Sequence, residues 1–266
     1  MAEADVSGVA AAAAPHRKRS APRIALIRVA TLLVLWALWE SVSASGLLYK
    51  GVAPSSFAIA GAIGHEIASG DFYWNLEWTL YEVAASIALG CGLGLAAGLG
   101  LGVNRFAGAA YERYLQYMAP TPKIVFLPVL LVLFGVGAGS KIAMGALSCF
   151  FPMALSVAAG VRLVDPVLLR VGKSYNLTRA QMVRMIYLPA LMPPIATGLR
   201  IGLGVAIIGC LLAELKMSNR GLGFMMMQYY AQFRTPQMYA ILIVMFLIAV
   251  FSNALVARVF RPRGTR

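Results

Sequence analysis

The chain has 266 residues, of which 60% are hydrophobic and 12% are charged, and its formal net charge is +13. An ordinary soluble domain contains roughly 45–50% apolar and about 25% charged residues, so this composition is that of a membrane protein and argues against a soluble domain. The three cysteines lie in apolar runs without CxxC spacing, and the two histidines lie far apart, which argues against a metal site or a disulfide framework.

Six apolar runs indicate membrane spans. A helix needs about 20 predominantly apolar residues to cross about 30 Å of hydrocarbon. The third run is short, and we expect its span to begin earlier, within residues 114–119. The predicted fold class is all-α, a polytopic membrane protein with about six transmembrane helices. The runs lie at residues 24–45, 76–103, 124–136, 142–161, 190–213 and 238–257.

The basic residues predict the orientation of these spans. With both termini inside, 17 of the 23 Lys and Arg residues fall on the inner side, five fall on the outer side, and Arg200 lies within the fifth span. An excess of Lys and Arg in cytoplasmic loops is the usual orientation signal. We therefore interpret the net charge as a topology signal and expect no nucleic-acid partner. The five outer residues are Lys50, Lys141, Lys216, Arg220 and Arg234.

The segments outside the bundle are short. Residues 1–23 are Ala-rich and then basic, which predicts a disordered cytoplasmic tail, and residues 259–266 form a second basic tail. The membrane domain between them covers residues 24–258. Its first span resembles a signal peptide with a Val-Ser-Ala stretch at 42–44, but we favour an uncleaved anchor. Residues 54–72 have apolar positions at helical spacing and predict an amphipathic interfacial helix.

The second span carries glycines four residues apart, with other glycines between them. Residues four apart share a helix face, so this strip lets another helix backbone approach closely. Packing within the subunit and a dimer contact both explain the strip, and the sequence does not choose between them. The four glycines are Gly90, Gly94, Gly98 and Gly102.

The stretch GVGAGSK at residues 135–141 has the outline of a phosphate-binding loop. Ser140 stands where that loop requires its second glycine, and Ile142 follows the lysine. We therefore predict a tight turn between the third and fourth spans, and we find no nucleotide site in the sequence.

A polar segment at residues 165–188 lies between two of the most hydrophobic runs of the chain. Asp165 before Pro166 predicts the start of a helix, and Asn176 predicts its end because Asn tolerates the left-handed conformation. Thr178, three residues before Gln181, predicts a capping box that starts a second helix. Prolines 189, 193 and 194 are expected to break or kink the start of the fifth span. The result is a helical elbow, suited either to docking a partner or to lying on anionic lipid.

The run from Arg170 to Gly204 resembles the EAA-loop signature of permease subunits in bacterial ABC importers, and it is most similar to the nitrate, taurine and aliphatic-sulfonate branch. The matching positions are Leu188-Pro189, Pro194-Ile195 and Gly198-Leu199-Arg200, followed by Ala213-Glu214 and Gly221-Leu222-Gly223.

This resemblance implies a type I importer permease fold in a bacterial inner membrane, and the distribution of Lys and Arg predicts that both termini are cytoplasmic. The elbow is then expected to insert a coupling helix into a cytoplasmic ATPase, which binds ATP and Mg²⁺, while this chain is not an enzyme and carries no cofactor. The other implied partners are a second permease subunit, as a homodimer or heterodimer, a periplasmic solute-binding protein and membrane lipid. The expected coupling residues are Arg170, Val171, Gly172, Lys173, Ser174, Tyr175, Asn176, Leu177 and Thr178.

Several positions depart from the family pattern. Arg170 stands where the family has Glu, Val171 and Gly172 stand where it has two Ala, and Asn176 stands where it has Gly. Asn preserves the turn, whereas the reversed charge at Arg170 puts pairing with a standard ATPase in doubt. Glu82 falls where close relatives usually carry Arg.

Ionisable groups within spans are costly and mark functional positions, and flexible Met side chains adapt to different shapes. The stretch at residues 221–233 is interpreted either as a gate or as a re-entrant helix packed on the bundle. Few carboxylates lie at membrane depth, which counts against the alternative function, an ATP-independent secondary transporter or channel. The candidate pathway or gate residues are Glu82, Arg200, Glu214, Met226, Gln228 and Tyr229.

Overall fold

A computed structural model of the chain describes residues 21–46 and 52–259. Within these ranges all regular secondary structure is helical, which confirms the all-α prediction. Two compact units divide at Ser56. Of the predicted tails, residues 1–20 and 260–266 lie outside the described residues, and the first helix begins at Ala21.

The described α-helices are numbered in chain order. They are α1 (Ala21–Ala44), α2 (Ser56–Ile67), α3 (Gly70–Val103), α4 (Arg105–Met118), α5 (Leu127–Phe134), α6 (Ala138–Arg162), α7 (Pro166–Ser174), α8 (Arg179–Met182), α9 (Leu188–Ala190), α10 (Met192–Lys216), α11 (Leu222–Ala231) and α12 (Thr235–Val259).

Five of the described helices are long and apolar enough to cross a membrane: α1, α3, α6, α10 and α12. The pair formed by α4 and the segment Lys123–Phe134 makes a sixth if it is counted as one span. The prediction of about six spans is thus confirmed as five to six. The predicted interfacial helix is α2, and it is shorter than expected because the Ser69 side chain already caps α3 by accepting from the Phe72 N–H.

The third predicted span departs most from expectation. The run at residues 124–136 is a 3₁₀ turn, Lys123–Phe126, followed by the two-turn helix α5, and its axis is bent by 94° from α4. The predicted extension of this span into residues 114–119 therefore holds only if the bent pair of helices counts as one span. Pro120 and Pro122 explain the break, because proline lacks the N–H that would continue the helix.

The first unit is held by polar contacts around the C-terminal end of α1. The indole N–H of Trp39 donates to the Pro54 carbonyl at 3.1 Å. The backbone N–H and the hydroxyl of Ser56 both donate to Glu40 Oε2, at 3.1 and 2.8 Å. Glu40 thus supplies a cap at the start of α2.

In the second unit, α3, α6 and α10 pack on one another and enclose the main apolar core. The core includes Cys91 and Met153 from the middle of α3 and α6, and Ala206 from α10. All three cysteines are buried and free, with Cys91 Sγ 3.0 Å from Cys149 Sγ.

The glycine strip of α3 lies against α6. A Cβ added at Gly90 would lie 2.5 Å from the Ala146 carbonyl oxygen, and one at Gly98 would lie 2.6 Å from that of Ala154. Gly94 meets the Phe150 carbonyl oxygen of α6 in the same way, and Gly102 meets the side chain of Val161. Each contact is closer than real Cβ atoms allow, so the strip brings the two backbones together within one chain. On the same helix, Gly92 and Gly100 have open space where a Cβ would be.

We expect Gly98→Ala to lower the free energy of unfolding by about 1–3 kcal/mol, the usual cost of overpacking, because the new methyl group meets α6 backbone. Gly100→Ala, two residues away on the open face, is the matched control. It should melt at the temperature of the wild type or slightly above it, since Ala favours helix. Thermal unfolding of both variants in detergent checks this. Equal melting temperatures for the two would contradict the packing described here.

Candidate functional site

The first arm of the elbow is α7, and its start is fixed by side-chain capping. Asp165 Oδ1 accepts from the Val167 N–H at 2.7 Å, and Pro166 occupies the first helical position, where its missing N–H costs nothing. The predicted helix start is confirmed.

The turn of the elbow is also set by local signals. Asn176 has φ +52°, and the Leu177 N–H donates to the Gly172 carbonyl at 3.1 Å, which closes the end of α7. Thr178 and Gln181 form a reciprocal capping box. The predicted left-handed stop and the predicted capping box are both confirmed.

The second arm is less regular than predicted. After α8 the chain widens into a π-helical segment, Val183–Tyr187, and continues through α9 to a break at Leu191. The Leu188 N–H donates to the Val183 carbonyl, which is the five-residue spacing of a π-helix. Pro189 follows immediately and cannot donate. The prolines thus interrupt the start of the fifth span, as expected.

Most of the candidate coupling residues lie on the open face of the elbow. Val171 is 47% and Tyr175 is 78% exposed, and with Val167 they form an apolar row at four-residue spacing. We call this row the elbow stripe. The other exposed members of the predicted set are Arg170, Lys173, Ser174, Asn176 and Thr178.

Gly172 and Leu177 do not share that exposure. Gly172 is buried, and a Cβ there would lie 2.6 Å from Ile186 Cδ1 and 2.8 Å from Met182 Sδ. It is therefore a spacer that lets the two arms of the elbow close on each other. Leu177 is half-buried.

A second group of polar side chains lies inside the bundle, where α11 begins. Glu214 is 1% exposed. Its Oε1 accepts from the Thr79 hydroxyl at 2.8 Å, and its Oε2 accepts from the Gly223 N–H at 2.7 Å. The Leu222 N–H donates to Thr79 Oγ1 at 2.8 Å. We call Asn75, Thr79 and Glu214 the turn clamp.

The turn clamp satisfies the free backbone donors of α11, which every helix start leaves without helical partners. Asn75 completes it by accepting from the Gly221 N–H at 2.8 Å. Gly221 has φ +100°, and a Cβ there would lie 2.6 Å from Glu214 Cδ, so only glycine suits this position. Sequence reasoning found Glu214 and missed Asn75 and Thr79. The signal was present, because Asn75, Thr79, Glu82 and Ser86 share one face of an apolar helix.

Glu82 lies next to the turn clamp and is fully buried. Neither of its carboxylate oxygens has a hydrogen-bond partner among the described residues. Glu214 is the neighbouring anion, and Lys141 and Arg220 are the nearby cations that interact with Glu82 electrostatically.

Lys141 corrects one assumption of the topology count. It was counted as an outer loop charge, but it lies in the first turn of α6 and is 1% exposed. Its ammonium group donates to the carbonyls of Val136 and Gly137. The predicted tight turn is confirmed at residues 135–137, with Gly135 at φ +72°, and α6 begins at Ala138.

Among the remaining candidate pathway residues, Tyr229 has the best-defined contacts. Its hydroxyl lies 2.9 Å from both carboxylate oxygens of Glu66, a residue of α2 that is 3% exposed. Burial and this hydrogen bond raise the pKa of Tyr229 to about 12, so the hydroxyl stays a donor. Gln228 on the same helix is exposed and Met226 is half-buried, whereas Arg200 is exposed on α10, apart from the turn clamp.

The sequence is similar to known proteins over most of its length. Residues 90–263, which include the whole elbow, match the sequence profile of the family described as "Binding-protein-dependent transport system inner membrane component". The chain belongs to this family.

Two curated relatives extend the match beyond residues 90–263. A putative aliphatic sulfonates transport permease protein, SsuC of Bacillus subtilis, is 29% identical over 91% of this chain and 87% of the relative. The taurine transport system permease protein TauC of Escherichia coli is 31% identical over 75% of this chain and 74% of the relative.

Among solved structures, a chain of the MetNI methionine ABC transporter in an inward facing conformation has a TM-score of 0.56 and 20% identity, over 69% of this chain and 95% of that one. This likeness shows the fold. The family membership and the two curated relatives show that this protein is a non-catalytic membrane permease subunit of an ATP-driven ABC importer, and an ATP-independent transporter or channel is set aside.

We expect Tyr229→Phe to lower the free energy of unfolding by about 1–3 kcal/mol, since the buried carboxylate of Glu66 loses its donor. Tyr230→Phe is the matched control, because Tyr230 is 61% exposed and its change should have little effect. Thermal unfolding of the two variants measures the difference. A loss of the same size in both would argue against a structural role for the Glu66 contact.

Proposed function

We propose that this permease works as one of two membrane subunits and that its elbow docks on a cytoplasmic ATPase that binds ATP and Mg²⁺. A solute-binding protein delivers a small solute on the opposite side, and both termini lie in the cytoplasm of a bacterial cell. The elbow stripe carries the proposal, because it places exposed apolar side chains beside basic ones on a rigid, capped support. Aromatic and apolar anchors next to Arg are typical of binding surfaces.

The mechanism needs no chemistry from this chain. Closure of the ATPase subunits pushes on the elbow, and the bundle shifts between two packings that open the pathway to one side or the other. The ATPase thereby changes the populations of the two packings through its different affinity for each.

The outer gate is proposed to lie at α11, with Met226, Gln228 and Tyr229 on or near the pathway. Glu214 takes part by holding the turn before α11, and Glu82 takes part as its buried neighbour. Arg200 is retained as a pathway residue because its side chain is exposed on α10.

The first test of docking is Tyr175→Ala. Truncating an exposed aromatic anchor at the centre of an interface typically costs about 2 kcal/mol or more, so the amount of ATPase retained on affinity-purified permease should fall at least about ten-fold. Asn176→Gly is the matched control one residue away, since glycine adopts the left-handed conformation freely and should leave retention unchanged. Full retention by Tyr175→Ala together with Val171→Asp would show that docking does not use the elbow stripe.

The second test concerns the reversed charge at residue 170. We expect Arg170→Glu to weaken retention of the partner ATPase. Reversing a charge that faces an oppositely charged partner turns attraction into repulsion. Arg170→Gln should fall between the wild type and Arg170→Glu. Arg258→Glu makes the same charge change at an exposed position of α12 and serves as the control. Equal retention by all three variants would mean that residue 170 does not face the ATPase.

A further inference from the structure

A basic groove lies between α4, the inner ends of α3 and α6, and the elbow. Its volume is about 1660 Å³. Its basic lining residues are Arg105, Arg113, Arg162, Lys173 and Arg179.

Positive charge predominates among the residues that line this groove. Glu112 is its one acidic lining residue among the described residues, and it forms an ion pair with Arg162, whose Nη1 also donates to Glu112 Oε1 at 3.1 Å. The other four basic side chains are exposed and form no ion pair within the described residues. Orientation alone requires basic residues on the inner side, but it does not require that they surround one cavity.

The groove is amphipathic as well as basic. Leu101, Val161, Val164 and Leu169 form part of its apolar wall. It lies where two membrane spans end, α3 at Val103 and α6 at Arg162. The apolar wall is therefore continuous with these apolar spans, and Arg105 and Arg162 lie where the two spans end.

The position of α4 over the groove is fixed by short contacts. Asn104 Oδ1 accepts from the N–H groups of Phe106 and Ala107, which sets the direction in which α4 leaves α3. A Cβ at Gly108 would lie 2.6 Å from the Leu101 carbonyl oxygen, so the two helices touch at this point. Glu112, which is 9% exposed, holds Arg162 at the wall.

We infer that this groove binds the phosphate-bearing headgroup of an anionic phospholipid, with an acyl chain along its apolar wall. Basic pockets between membrane helices suit such headgroups. The lipid comes from the leaflet on the elbow side, which under the proposed function is the cytoplasmic leaflet.

The test uses the whole transporter with its ATPase, purified in mild detergent with phosphatidylglycerol or phosphatidylcholine. Native mass spectrometry then measures which lipid stays bound. We expect the wild type to retain phosphatidylglycerol in preference to phosphatidylcholine. Arg105→Gln and Arg113→Gln should each reduce that retention about five-fold, the effect of one basic residue near an anionic lipid surface. Arg105→Lys should retain most of it.

The control is Arg258→Gln, which removes one exposed positive charge that does not line the groove. An equal loss in this control, or no preference in the wild type, would overturn the inference.

Inorganic phosphate is titrated into lipid-depleted transporter in parallel, and binding of phosphate with the affinity of the lipid would assign the groove to a free anion instead. Retention of the ATPase should be unchanged in Arg105→Gln and Arg113→Gln. Loss of the ATPase with unchanged lipid would make the groove a protein contact.

Discussion

The close packing of α3 on α6 is the constraint on which the other features of the bundle depend. In a membrane the hydrophobic effect does not drive helices together, so van der Waals contact and hydrogen bonds must do so. The glycine strip allows that contact over three turns of α3. Small residues on α6 contribute too: a Cβ at Gly145 would lie 2.5 Å from both Ser86 Oγ and Cys210 Sγ. At this point α3, α6 and α10 meet with no room for a methyl group.

This packing makes the turn clamp possible. Asn75 and Thr79 lie on α3, while Glu214 lies on α10, and only a fixed distance between the two helices lets their side chains share the start of α11. Three of their four hydrogen bonds join residues more than 130 positions apart: 135 for Thr79 and Glu214, 143 for Leu222 and Thr79, and 146 for Gly221 and Asn75. Polar groups buried in a membrane protein need partners within the protein. The clamp therefore holds α11 in one place for as long as α3 and α10 keep their separation, and a change in that separation would release it.

Local signals were enough to predict the start and the turn of the elbow, whereas its π-helical segment and the long-range contacts of the bundle could not be predicted. Asp165, Asn176 and Thr178 act on backbone groups within a few residues, so their roles follow from the sequence alone. The burial of Lys141 does not follow from the sequence alone, because it depends on how the first turn of α6 packs in the folded bundle. For the same reason, the sequence did not decide which helix packs against the glycine strip. The bend between α4 and α5 was missed, although Pro120 and Pro122 were visible in the sequence.

The elbow is joined to the bundle by contacts that leave little freedom between them. The Ser156 hydroxyl donates to the Pro194 carbonyl at 2.7 Å, and Gly160 lets Pro194 and Leu191 pack directly on α6. Leu191 is fully buried at the break where the elbow meets α10. The break between the elbow and α10 is thus not a loose hinge at Leu191 and Pro194, because both residues pack on α6 at Gly160. A displacement of the elbow is therefore expected to move the end of α6 and the start of α10 together.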